Sequence, residues 1–130
     1  MKMQESPEDY LEAILMIKLQ KGRVRSIDVA RHLGFSKPSV SVAMKRLREN
    51  GYVLMDEDGY LTLTDSGNEI ASNIYERHTV LSEYLMQLGV SEENALSDAC
   101  RIEHVLSEES FQRIKELTME ARKSATEANA

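Results

Sequence analysis

The stretch Asp98 to His104 reads DACRIEH and holds the only cysteine of the chain, with a carboxylate three positions on and an imidazole four positions on. Residues three and four apart are neighbours on an α-helix, so Cys100, Glu103 and His104 share one side and leave Ala99, Ile102 and Leu106 for an apolar contact. A thiolate, a carboxylate and an imidazole converging on one point form a donor set for a divalent transition metal. Three donors on one helix rarely complete a coordination shell. The same residues also read as an ordinary helix face, with Cys100 a small buried hydrophobe, Glu103 solvated and His104 a surface imidazole. The choice depends on whether other elements bring further donors.

Three such residues exist. Asp9 and Glu12 stand three apart near the start of the chain and present two carboxylates on one helix face, and His78 sits among apolar residues in a long helical segment. Each has a structural alternative: Asp9 occupies the reciprocal position of a capping box opened by Ser6, and His78 suits a core imidazole bonded to a backbone carbonyl.

The elements that must position these residues follow from caps and periodicity. Ser6-Pro7-Glu8-Asp9 starts a helix, with Ser6 as N-cap, Pro at the first position and two acids at the positive end of the dipole. Leu11, Ile14, Leu15 and Ile17 give it a buried stripe, and it runs to about Gln20 before Gly22. Ser26 is expected to cap a short helix over Ile27 to Leu33. Ser36 caps a third, with Pro38 in its first turn and Val40, Ala43, Met44 and Leu47 at core spacing. Two β-rich runs, 52–55 and 60–64, flank Asp56-Glu57-Asp58-Gly59 and predict a hairpin. Helix, turn, helix and hairpin in this order predict a winged helix-turn-helix. Three helices follow: Asp65 to Leu88, Ser91 to about Leu106, and one opened by Ser107 that fades near Arg122, leaving a frayed tail. The expected fold is mainly α, with a winged helix-turn-helix DNA-binding domain over residues 1–64 and an all-helical metal-binding and dimerisation domain over 65–130.

At 130 residues and 42% hydrophobic content, the chain can bury a core. Neither an apolar signal-peptide core nor a bilayer-length apolar run is present, and the lone cysteine fits a reducing compartment, so the expectation is a soluble, cytoplasmic protein. The net charge of −6 hides a segregation. Between residues 22 and 50, Arg23, Arg25, Arg31, Lys37, Lys45, Arg46 and Arg48 face only Asp28 and Glu49, whereas the chain beyond Gly51 is acidic. Such asymmetry marks a phosphate-facing segment on an acidic body.

The expected recognition-helix segment is SKPSVSVAMKRLRENGY, its helix stopping before Gly51. At its N-terminus Ser36, Lys37, Pro38, Ser39 and Ser41 offer hydroxyls, an ammonium and backbone N–H groups to phosphates and base edges. Lys45, Arg46 and Arg48, together with Arg25, add salt-sensitive affinity for double-stranded DNA. A helical hairpin in a protein-binding module is the alternative. The acidic turn DEDG makes the wing a poor phosphate clamp.

The segments SPEDYLEAI, SKPSVSVAMKRLRENGYV, LTLTDSGNEIA, ERHTVLSEYL and DACRIEHVLSEE, in this order, resemble the DtxR/MntR-type metal-dependent transcriptional repressors over nearly the whole chain. The resemblance implies a homodimer that pairs through its C-terminal helices and binds operator DNA when Mn(II) or Fe(II) is bound. It also implies the ligand set: Asp9, Glu12, His78, Glu103 and His104 match the manganese-type pattern, while Cys100 stands where that pattern has Glu and looks iron-type. The iron-type ancillary site is impaired, since Ser82 and Leu96 fall where a Glu and a His belong. The lack of a third, SH3-like domain resembles the manganese-type build. Hard carboxylates favour Mn(II), and a thiolate shifts preference towards Fe(II), Co(II) and Zn(II), the last two possible substitutes. A thiolate in place of a bridging carboxylate counts against a two-metal site. Control of metal homeostasis is the expected role, with no membrane partner, no small organic substrate and no catalysis. The alternatives are a metal-independent winged-helix regulator and a small metalloenzyme with a metal-bound water.

Overall fold

Pro7 opens α1 (Pro7–Lys21) in the computed structural model of the protein, which describes residues 7–128. The expected Ser6 cap lies outside the described residues. Glu8 and Asp9 sit in the first turn of α1 and Lys18 and Lys21 in the last, so both ends complement the helix dipole. Leu11, Ile14 and Ile17 are buried, together with Tyr10, Ala13 and Glu12. Gly22, at φ +83°, closes the helix by donating its N–H to the Lys18 carbonyl at 2.8 Å.

Helix α2 (Ser26–Leu33) begins one residue earlier than the sequence suggests. Arg25 is its N-cap, and the Asp28 carboxylate accepts the Arg25 N–H at 2.9 Å, so Ser26 lies inside the first turn rather than capping it. In α3 (Lys37–Glu49) Ser36 is the N-cap, accepting the Ser39 N–H at 3.3 Å, and Pro38 occupies the first turn. Val40, Met44 and Leu47 point from α3 into a cluster shared with α1, α2 and Val53, Leu61 and Ala71.

Strands β1 (Val53–Met55) and β2 (Leu61–Leu63) pair antiparallel with Val53 opposite Leu63 and Met55 opposite Leu61. Asp56 Oδ1 ties the connecting turn by accepting the N–H groups of Asp58 and Tyr60, both at 2.9 Å. Thr64 joins the hairpin to α4 (Asp65–Gln87): its hydroxyl donates to the Gly51 carbonyl at 2.7 Å and accepts the Gly67 N–H at 3.1 Å. A Cβ at Gly67 would fall 2.1 Å from the Tyr52 carbonyl oxygen, so only glycine lets the start of α4 approach the backbone before the wing.

Compactness divides the chain between Tyr75 and Glu76, within α4. In the second unit, α5 (Glu92–Ile102) is capped by Ser91 and α6 (Glu108–Ala128) by Ser107, whose hydroxyls accept the N–H groups of Asn94 at 3.3 Å and Ser110 at 3.1 Å. Val80, Leu81, Ala95, Ala99 and Phe111 are buried. Helix α6 is cross-linked to α4 by Lys115–Glu76 at 3.1 Å and by Arg122–Glu83, where Arg122 Nε donates at 2.9 Å. Two expectations are corrected here. Helix α5 ends at Ile102 rather than near Leu106, and α6 continues to Ala128 rather than fading near Arg122. The tail from Ser124 to Ala128 is built of short residues and Glu that carry the helix on, with Thr126 Oγ1 donating to the Arg122 carbonyl at 3.1 Å. Among the described residues no helix is long and apolar enough to cross a membrane. The architecture is the expected one, a winged helix-turn-helix followed by helices.

Candidate metal centre and nucleic-acid interface

Although α5 ends at Ile102, Glu103 keeps right-handed helical backbone and its carboxylate converges with the Cys100 thiol, as the spacing predicts, while His104 enters the turn towards α6. Glu103 is the C-cap, its N–H bonded to the Ala99 carbonyl at 3.0 Å, and His104 follows in the turn towards α6. Glu103 is fully buried, which removes the solvated alternative, and Cys100 is exposed, which removes the buried-hydrophobe one. His78, from α4, places Nδ1 3.0 Å from Glu103 Oε2, so its ring faces a carboxylate. His104 Nε2 lies 3.4 Å from the other carboxylate oxygen, Oε1.

One donor atom each of His78, Cys100 and Glu103 fall within 4.8 Å of one another. Glu103 Oε1 accepts no hydrogen bond among the described residues although it is buried. A buried carboxylate is costly unless charges or hydrogen bonds compensate it. Here the neighbours are two imidazoles and a thiol, all capable of metal ligation, so the donor set fits a divalent cation. Contact with Glu103 is a hydrogen bond when His78 Nδ1 is protonated; once that proton is lost, both groups are lone-pair donors.

The other two expected ligands belong to the first unit. Asp9 and Glu12 lie in the first two turns of α1, Asp9 half-buried and Glu12 buried. Where the resemblance places an ancillary site, Ser82 is buried and its hydroxyl donates back to the His78 carbonyl at 2.6 Å, while Leu96 is exposed.

Sequence reasoning missed Arg77. Its Nη1 donates to the carbonyls of Glu103 at 3.0 Å and Leu106 at 2.7 Å, and its Nη2 to Glu108 Oε2 at 3.0 Å. No local pattern announces this, since the partners lie 26 to 31 residues away.

In the first unit, Lys37, Ser41, Lys45 and Arg48 form an exposed stripe along α3 that flanks the buried Val40, Met44 and Leu47, and Pro38, Ser39 and Arg46 are exposed elsewhere around the helix. Ser39 is partly committed, because its hydroxyl accepts from Ser36 at 2.9 Å. Arg48 Nη1 leans on Met55 Sδ of the hairpin at 3.6 Å. Arg25 lies 4.3 Å and Arg23 5.0 Å from the centroid of the Tyr60 ring at the foot of the wing. The Arg23–Tyr60 pairing was also missed, although two arginines two apart on extended backbone point the same way. Those guanidinium groups bring positive charge to a wing whose acidic turn turns Asp56 inward.

Residues 2–61 match the family described as the iron dependent repressor, N-terminal DNA binding domain, and residues 64–126 match the iron dependent repressor, metal binding and dimerisation domain. The chain belongs to the iron-dependent repressor family. Members of this family are metal-dependent transcriptional regulators rather than enzymes. Similar members include the HTH-type transcriptional regulator MntR of Lysinibacillus sphaericus, 35% identical over 112 residues, which cover 86% of this chain and 81% of that protein. Among solved structures, the IdeR of T. acidophilum superposes with a TM-score of 0.77 at 30% identity, covering 85% of this chain and 53% of that one. A manganese-dependent transcriptional repressor in complex with manganese gives a TM-score of 0.77 at 29% identity, over 87% of this chain and 52% of its own. The chain thus spans about half the length of these two solved repressors.

Proposed function

We propose that this family member is a homodimeric repressor that binds double-stranded operator DNA when loaded with Mn(II) or Fe(II), and so controls metal homeostasis in the cytoplasm. The observation that carries the reading is the buried Glu103 carboxylate set between the imidazoles of His78 and His104, beside the Cys100 thiol. His78, Cys100, Glu103 and His104 are the residues that would hold the ion, and Asp9 and Glu12 of α1 would complete the set, as the family likeness suggests. When bound, the ion supplies two positive charges that relieve the mutual repulsion of these carboxylates.

Before loading, the imidazoles of His78 and His104 face the Glu103 carboxylate and help to compensate it. Removing the proton from His78 and the thiol proton from Cys100 frees the remaining lone pairs for ligation. Through Asp9 and Glu12, ligation would join the segment that carries the recognition helix to the helical segment, favouring an arrangement in which two copies of α3 meet successive major grooves. Large apolar side chains exposed on the second unit, Leu88, Val105 and Leu117 among them, support pairing of two copies there. Lys37, Ser39 and Ser41 would read bases and nearby phosphates from the N-terminus of α3, and Arg25, Lys45, Arg46 and Arg48 would grip phosphates.

Manganese is favoured by the carboxylates and by the likeness to manganese repressors, while the exposed Cys100 keeps iron, cobalt and zinc within reach. Alanine at Glu103 or at His104 is expected to abolish metal-stimulated operator binding in gel-shift titrations. Unchanged metal dependence in both variants would remove the proposal. In the same titrations, Cys100→Glu is expected to raise the preference for Mn(II) over Zn(II).

A further inference from the structure

We infer that Arg77 is the positioning residue of the candidate metal centre, holding the turn that carries Glu103 and His104 opposite the imidazole of its own neighbour, His78. This rests on the metal-binding reading of the site. A helix leaves its last carbonyls without intrahelical partners, so the turn after Ile102 needs outside donors to hold one conformation. Arg77 supplies them from α4, with Nη1 shared between the carbonyls of Glu103 and Leu106 at 3.0 and 2.7 Å. These two bonds grip the turn at both ends. With its backbone carbonyl engaged by Arg77, Glu103 presents its carboxylate, and not its main chain, to His78.

The guanidinium is itself fixed from the opposite side. Its Nη2 donates to Glu108 Oε2 at 3.0 Å, and its carbon stands 5.1 Å from the centroid of Phe111, which is 2% exposed. A planar fork can serve two carbonyls and a carboxylate at once while stacking on a ring, which an ammonium cannot reproduce. Glu108 is kept ionised for this pairing, its carboxyl lowered from the ordinary value first by the Gln112 hydrogen bond and then by Arg77. Because Arg77 and His78 are consecutive on α4, one two-residue segment fixes both the imidazole and the loop bearing the facing carboxylate. The spacing of the donors is therefore set by a covalent neighbour plus three directional bonds.

The test measures Mn(II) affinity of the full chain by competition with a chelating fluorophore, and amide hydrogen exchange over residues 103–106 without metal. Arg77→Met is expected to weaken Mn(II) binding about 10- to 100-fold, the range found when partners that orient ligands are removed. Exchange should rise in the turn while the helices of the first unit keep their protection. Arg77→Lys should recover part of the affinity, and Glu108→Gln, which acts one step further from the ligands, should cost about a few-fold, below the range for direct partners. Lys115→Met, which breaks a cross-link between α4 and α6 that does not reach the turn, should leave Mn(II) affinity unchanged. Wild-type affinity in Arg77→Met overturns the inference and leaves the metal-binding reading intact. If that variant does not fold, wild-type affinity in both Arg77→Lys and Glu108→Gln overturns it. Absence of Mn(II) binding by the wild-type chain overturns the metal reading itself, and this inference with it.

Discussion

From Tyr10 to Ala71 one apolar cluster links α1, α2, α3, the hairpin and the start of α4, whereas beyond Glu76 the buried apolar side chains are fewer and polar bonds tie the helices together. The first unit is specified by area removed from water, where each fully buried Leu or Ile contributes about 1.5–3 kcal/mol. The residues proposed to meet DNA, the stripe along α3, stay on the outside of that cluster. The second unit is specified by direction. Arg77 and His78 hold the turn and the buried carboxylate of Glu103, Arg122–Glu83 ties α6 to α4, and under the proposed function a bound cation would alter the balance of the bonds at Glu103. The proposed reader and the proposed sensor would thus rest on different forces in one chain.

The contrast can be broken by substitution. Ile14→Ala, at a site with no exposure in the centre of the apolar cluster, is expected to destabilise the protein by about 3 kcal/mol. Urea unfolding gives that value, and amide exchange should locate the loss in residues 7–75. An equal loss of exchange protection in residues 76–128 would show that the two units are not separable in this way. Gly67→Ala should follow, at about 2 kcal/mol, because the new methyl group meets the Tyr52 carbonyl and the start of α4 must move. A melting temperature equal to wild type would contradict the close approach of these two backbones.

A smaller effect sharpens the other side of the comparison. The carboxyl of Glu108 lies below its ordinary value of 4.5, owing to Gln112 and then Arg77. A lowered folded value stabilises the protein fully above the unfolded value and loses that contribution as pH falls through the folded one. The stability difference between wild type and Glu108→Gln should therefore be constant near neutrality and shrink as the pH drops below about 4.5. A difference that grows on acidification would reverse the assigned sign.

Caps and periodicity made the first unit legible, since Pro7, Ser36 and the Asp-Gly turn act on residues within a few positions of themselves. Ser26 misled because a neighbouring backbone N–H was claimed by Asp28, placing the cap one residue earlier. In the second unit the donor residues were visible as types, but their arrangement was not. Helical spacing paired Cys100 with Glu103, but His104 falls in the turn beyond α5, and the bonds that shape that turn come from Arg77, 26 residues upstream of Glu103. The two arginines beside Tyr60 escaped for a related reason: their ring partner lies across an isolated bridge from Arg25 to Tyr60. Long-range polar contacts leave little trace in local pattern, and the candidate metal centre depends on them most.

The central claim is that metal at the His78–Glu103 centre and operator DNA on α3 stabilise the same state. Thermodynamic linkage makes such coupling reciprocal. The most direct measurement is the Mn(II) affinity of the protein, taken anaerobically with and without saturating operator duplex. Operator DNA should tighten Mn(II) binding by the same factor by which Mn(II) tightens operator binding. Equal Mn(II) affinity in the presence and absence of the duplex would contradict the account.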